Sequence, residues 1–180
     1  LKRVNSEITA SVNEVKKLEA AYNKAQKEHT DAAIVRGNLD ADRRNAGKNV
    51  VNAKNAKKNQ DLAGARAIAL QLQIEKKELD KVSESYLSSL TDEKRLQTIN
   101  EFFDKVINRA ELKNQELINK LNDATRKVRE LEAKENEALQ KWNNEDNHGK
   151  QLEAEKQSMQ AAETNLKIGE QESINRVQAY

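Results

Sequence analysis

Two histidines, His29 and His148, and thirty acidic side chains are the groups in this 180-residue chain that could hold a metal or move a proton. A zinc site needs three or four ligands at set spacings. Here the histidines are far apart, and the acids near them, Asp31, Glu145 and Asp146, show no ligand spacing. A chain that doubled back would bring the histidines near one level, but the reading that demands least is solvated side chains. Catalytic carboxylates need a cleft that shifts their pKa, and nothing in the pattern supplies one. Instead Glu101/Lys105, Glu116/Lys120, Glu130/Lys134, Glu137/Lys141 and Glu163/Lys167 stand four residues apart with the acid first. In a helix each such pair contributes about 0.2–0.5 kcal/mol. No phosphate loop, dinucleotide fingerprint or nucleophile elbow occurs, and the chain has no cysteine. The expectation is a non-enzyme with no catalytic residue, no metal and no cofactor.

Arg43, Arg44, Lys48, Lys54, Lys57 and Lys58 form a run free of acidic residues up to Gln60. Such a run suits an anionic surface, nucleic acid or lipopolysaccharide. Aromatic residues interleaved for base stacking are missing, so a solvated face beside a partner helix is the simpler account. Thirty-two basic against thirty acidic residues leave a net charge of +2, which gives no field to steer toward nucleic acid. No nucleic-acid partner is expected. No apolar run approaches the roughly 20 residues of a membrane helix, so no transmembrane segment is expected. The sequence opens at Leu1 without a visible signal peptide, which suggests a piece of something larger.

Composition dictates the elements that carry these residues. Hydrophobic residues make up 36%, aromatic 3% and charged 34%, with no proline and five glycines. That mix is too polar for a thick core and too poor in helix breakers for ordinary disorder. Abundant Ala, Leu, Glu, Lys and Gln favour long helices with a thin apolar seam. Steps of seven from Phe103 read Phe103, Ala110, Leu117, Ala124, Leu131, Ala138, Glu145, Leu152, Met159, Leu166, Ser173, Tyr180, ten of twelve apolar. A companion series four residues on is patchier, with Ile107, Leu121, Val128 and Trp142 beside Asn114, Glu135 and Gly149. In the first half, Val4, Ser11, Leu18, Ala25, Ala32, Leu39, Ala46 and Ala53 form the matching stripe, accompanied by Ile8, Val15, Tyr22 and His29. The register then slips by an eleven-residue step from Val51 to Leu62. Such a step relaxes a supercoil and predicts a nearly straight helix over residues 52–64.

Residues 86–97, YLSSLTDEKRLQ, hold the one strong restart signal. Ser89 or Thr91 can cap a new helix whose first turn carries Asp92 and Glu93, the sign that a helix N-terminus favours. The expected fold is all-α, a long antiparallel two-helix coiled-coil hairpin with arm one at about residues 1–87, a tip at 88–91 and arm two at 92–180. Folding near residue 90 would set position i opposite 180 − i, so Trp142 would face Gly37 and Asn38, and residues 143–149 would face 32–37. Two alternatives stay open: one continuous helix that dimerises in parallel, and a three-helix bundle with a further turn at 143–149. In the hairpin, Phe103 lies on the seam. Phe102, about 100° away, should then be partly exposed near the tip with Tyr86, Leu87 and Leu90. An apolar patch at a tip is a binding end, and the candidate contact residues are Tyr86, Leu87, Ser89, Leu90, Arg95 and Phe102. The competing account has Phe102 padding a widened tip.

In its Ala- and Asn-rich, cysteine-free, charge-balanced style, the chain resembles the receptor-binding region of colicins and related bacteriocins. The phrases VNEVKKLEAAYNKAQKEHTDA (residues 12–32) and AELKNQELINKLNDATRKVRELEAKE (residues 110–135) carry the likeness. It spans essentially the whole chain and includes no specific motif. What it implies is a secreted, monomeric module whose hairpin tip recognises an outer-membrane receptor and whose arms tether translocation and toxic domains. No receptor contact transfers residue by residue. A passive structural or oligomerisation coiled-coil rod of a secretion or filament protein is the alternative.

Overall fold

The computed structural model describes residues 1–179; Tyr180, the last member of the second-half stripe, lies outside them. The fold is all-α, in the order α1 (Lys2–Lys58), α2 (Leu62–Gln71), α3 (Lys76–Asp80), α4 (Glu84–Ser88) and α5 (Asp92–Gln178). The chain divides into two compact units, one of Leu1–Thr30 with the chain from Arg129 onward, the other of Asp31–Val128. In both, α1 packs against α5 of the same molecule, which sets aside a single continuous helix. Helix α5 runs unbroken through residues 143–149, so the further turn of a three-helix bundle does not form.

In the first unit the stripes named from the sequence are the packed faces. Val4 and Ser11 on α1 and Leu131 and Leu152 on α5 are buried, with Leu18, Ala25 and Ala138 half-buried between them. The cross-helix partners are Arg3 with Glu155 at 3.3 Å, Tyr22 with Trp142 at a ring-centroid distance of 5.5 Å, and His29 with Glu135 at 2.5 Å. Gly149 lies against Ser11, where a Cβ on the glycine would stand 3.0 Å from the serine oxygen. Partner numbers thus fall along α5 as they rise along α1. Trp142 faces Tyr22, not Gly37 and Asn38, and Gly149 faces Ser11, not the 32–37 stretch. Nothing lies within 4 Å of where a Cβ on Gly37 would stand, so no indole packs there.

The second unit departs from a simple hairpin in another way. Helix α1 does not run straight through residues 52–64; it stops at Lys58. Gln60 takes a left-handed φ of 53°, Gln60 N–H bonds to Lys57 O at 3.1 Å and Asp61 N–H to Ala56 O at 2.8 Å. Those two bonds make a Schellman C-cap. The same closure ends α2, with Gln73 at φ 57° and Ile74 N–H reaching Ala69 O at 3.0 Å. Between them Asp61 caps α2, accepting from Gly64 N–H at 2.9 Å. A Cβ on Gly64 would crowd the Asp61 carboxylate, so a larger residue there would shift the capping side chain. Helix α2 turns back beside α1: a groove of about 520 Å³ is lined by Asp42 and Asn49 of α1, Gln71 and Gln73 after the return, and Arg109 and Glu116 of α5. Residues 59–91 therefore fold down and up rather than extending one arm.

Candidate functional site

The expected four-residue tip is the last turn of a larger cap built from α2, α3, α4 and the start of α5. Its core joins Ala53 and Ala56 of α1, Ala65, Ile68 and Ala69 of α2, Ile74, Val82 and Leu87, and Phe102, Phe103 and Val106 of α5. Leu62, Leu72, Leu79, Leu90, Ile99 and Ile107 pack around it. Both phenylalanines face this core because α5 is covered here by more than one helix: α1 on one side, the α2–α4 segment on another. A side chain 100° off the seam is then as enclosed as one on it.

The six candidate contact residues consequently part company. Tyr86 is 45% exposed and Ser89 is exposed, while Leu90 and Arg95 are half-buried. Leu87 at 8% and Phe102 at 4% are buried, which corrects the expectation that both lie at the surface. Leu87 is held by the short α4, which opens with Ser83 accepting from Tyr86 N–H at 3.3 Å. Arg95 works on the inside of the tip. Its Nε donates to Leu87 O at 3.0 Å, which also accepts from Leu90 N–H at 3.2 Å, and its Nη2 donates to Leu90 O at 3.4 Å. Thr91 is the cap of α5, accepting from Lys94 N–H at 3.3 Å.

The basic run of α1 is largely paired. Arg43 and Arg44 both reach Asp40, Lys54 meets Glu111 at 3.2 Å, and Lys57 meets Asp104 at 2.5 Å. Four of the six members of the basic run thus face carboxylates, the outcome of a solvated face beside a partner helix. Lys105, expected to pair with Glu101, goes to Glu78 of α3 at 2.9 Å. That hydrogen bond holds the Glu78 carboxyl below the usual carboxylate range; burial pulls the other way, and Lys105 and Lys81 add attraction. Glu116 is lowered likewise, first by its hydrogen bond from Lys120 and then by the charges of Lys113 and Lys120.

His148 is exposed, and His29 contacts Glu135 rather than the other histidine. Among the described residues no three His, Cys, Asp or Glu side chains gather to hold a metal ion, and no helix is long and apolar enough to cross a membrane. The α2 return was the part missed from the sequence. Its signals were present: Asp61 ahead of LAGARAIALQ, ten residues apolar on several sides, which suits a helix covered by more than one neighbour. No protein-family model matches this chain, and no curated protein or solved structure matches it.

Proposed function

We propose that the chain is a receptor-binding module of a secreted antibacterial toxin, in which α1 and α5 form one antiparallel coiled-coil hairpin and the α2–α4 cap meets an outer-membrane receptor protein. The opposed order of cross-helix partners within the first unit supports the hairpin. The observation that carries the binding role is the cap itself. Two long helices can be joined by a few residues, whereas residues 59–91 are spent on a separate hydrophobic core that displays Tyr86, Ser89 and Leu90 at its end. A rigid, cored end is what a recognition surface needs in order to bind without ordering costs. The module acts as a monomer and tethers translocation and toxic domains, with no catalytic role of its own.

Burial of Leu87 and Phe102 favours the second reading, a passive structural or oligomerisation coiled-coil rod, because it removes two side chains a partner would grip. The two separate in one experiment. Fluorescently labelled chain is applied to Gram-negative cells, alongside a Tyr86→Ser/Leu90→Ser variant. Saturable binding that disappears in the variant, with helix content unchanged, supports the receptor-binding module; binding that the variant retains leaves the cap without that role.

A further inference from the structure

Within the second unit, α3 is the least secured piece of the cap. Helix α2 is capped by Asp61 and buries Ala65, Ile68 and Ala69; α4 is capped by Ser83 and buries Leu87. Helix α3 has neither support. Glu75 at its head makes no side-chain cap bond, and none of its five residues is buried. A helix that short does not hold itself. Its backbone bonds stay local, from Glu78 and Leu79 N–H to Glu75 O and from Val82 N–H to Leu79 O. One charged tie crosses to a long helix. Glu78 meets Lys105 of α5 at 2.9 Å, and among the described residues this is the one ion pair between residues 59–91 and α1 or α5. Lys81 reaches the same carboxylate at 3.5 Å. Two grooves meet at the tie. One of about 570 Å³ is lined by Ile74, Asp104 and Leu112, the other of about 240 Å³ by Glu78, Val82 and Phe102, and Glu101 and Lys105 line both.

We propose that residues 75–82 are a flap beside Phe102, latched to α5 by Glu78 and Lys105, which lifts while α2, α4 and the long helices stay folded. Local opening draws on segments with little burial and few bonds to their neighbours, and α3 has the least of both in the cap. The chain already turns at either end of it. Gln73 stands at φ 57° before it, and Ser83, whose Oγ donates to Asp80 O at 2.8 Å, follows it. Lifting gives up the burial of Val82 and the partial burial of Leu79, joins the two grooves along α5 and uncovers Phe102. The latch is a modest one, because Lys105 is half-exposed and such pairs are screened by salt. A lifted flap turns Phe102 from a core residue into a contact residue; that use rests on the receptor-binding role, whereas the flap itself does not.

The chain has no cysteine, so single cysteines report the opening in the whole molecule. Val82→Cys places a thiol under the flap; Val106→Cys is the same change at a buried position of α5 that lines neither groove. With excess thiol reagent and rates referred to the denatured chain, Val82→Cys should react at least tenfold faster than Val106→Cys. Adding Lys105→Met should speed the reaction at Val82→Cys about two- to fivefold, the range of a partly exposed ion pair, and leave Val106→Cys unchanged. Equal rates at the two positions overturn the flap, as does acceleration of both by Lys105→Met; acceleration of neither removes the latch. The use of Phe102 is read separately. Lys105→Met should tighten saturable binding to Gram-negative cells by the same factor, since a larger share of molecules is already open. Unchanged binding would show that the receptor does not use Phe102, and no cell binding at all would remove the receptor role, while the cysteine rates still decide the flap.

Discussion

Arg95, a candidate contact residue near the restart, also has a task within the fold. Its position near the restart pointed to a contact surface, yet its guanidinium is turned inward onto Leu87 and Leu90 carbonyls. Charge-assisted bonds of this kind are worth about 1.5–3 kcal/mol when enclosed and less when half-exposed. Arg95→Gln should therefore cost about 1 kcal/mol and speed hydrogen exchange of the amides near residues 87–91; unchanged exchange there would remove the stapling role. Gln73 closes α2 in a left-handed conformation. A non-glycine residue held at φ 57° is strained, so Gln73→Gly should raise the denaturant midpoint, by about 0.5–1 kcal/mol in stability. Glu78 supplies a pH test. Its folded pKa lies below the unfolded one, so the pair with Lys105 stabilises above about pH 4.3, the ordinary glutamate value. That stabilisation is lost as pH falls through the lower folded value. The stability gap between the parent chain and Lys105→Met, about 1 kcal/mol or less for a partly exposed pair, should be full at pH 6 and shrink toward pH 3. A gap that stays constant would show the effect to be packing.

At the scale of elements, the α2–α4 segment is held chiefly by what it buries. Helices α3 and α4 are five residues each, far too short to stand alone. Their order comes from Ile74, Val82 and Leu87 entering the core around Phe102 and Phe103. Phe103→Ala should cost about 3–5 kcal/mol, and the loss should appear first as protease cleavage within residues 59–91, ahead of any fall in the helix signal of α1 and α5. Phe102→Ala should behave alike, because the structure encloses it equally; a surface phenylalanine would instead give a change within about 0.5 kcal/mol. The heptad stripe could not report this. It describes one helix facing one neighbour, and α5 here faces two.

For the molecule as a whole, the decisive quantity is which residue of α5 each residue of α1 meets. The chain is free of cysteine, so a single engineered pair reads it out. Ser11→Cys/Gly149→Cys brings two Cβ atoms into the range of a disulfide and should oxidise within one molecule, while Ala25→Cys/Gly149→Cys should not. The reverse outcome would displace the register described for the first unit. Helicity, the stripes that pack and the restart of the chain at Asp92 were legible in the sequence, because composition and a seven-residue period act over short distances along one helix. The slip after Val51 was legible too, but not its meaning. The end of α1 itself carried no local signal, since the two closing positions are glutamines, not the glycines that left-handed caps favour, and Asp61 alone marked a new start. Only tertiary packing decided that the chain turns back at Gln60. Burial of Ala65, Ile68 and Ala69 against α1 and α5 outweighs the strain of that turn.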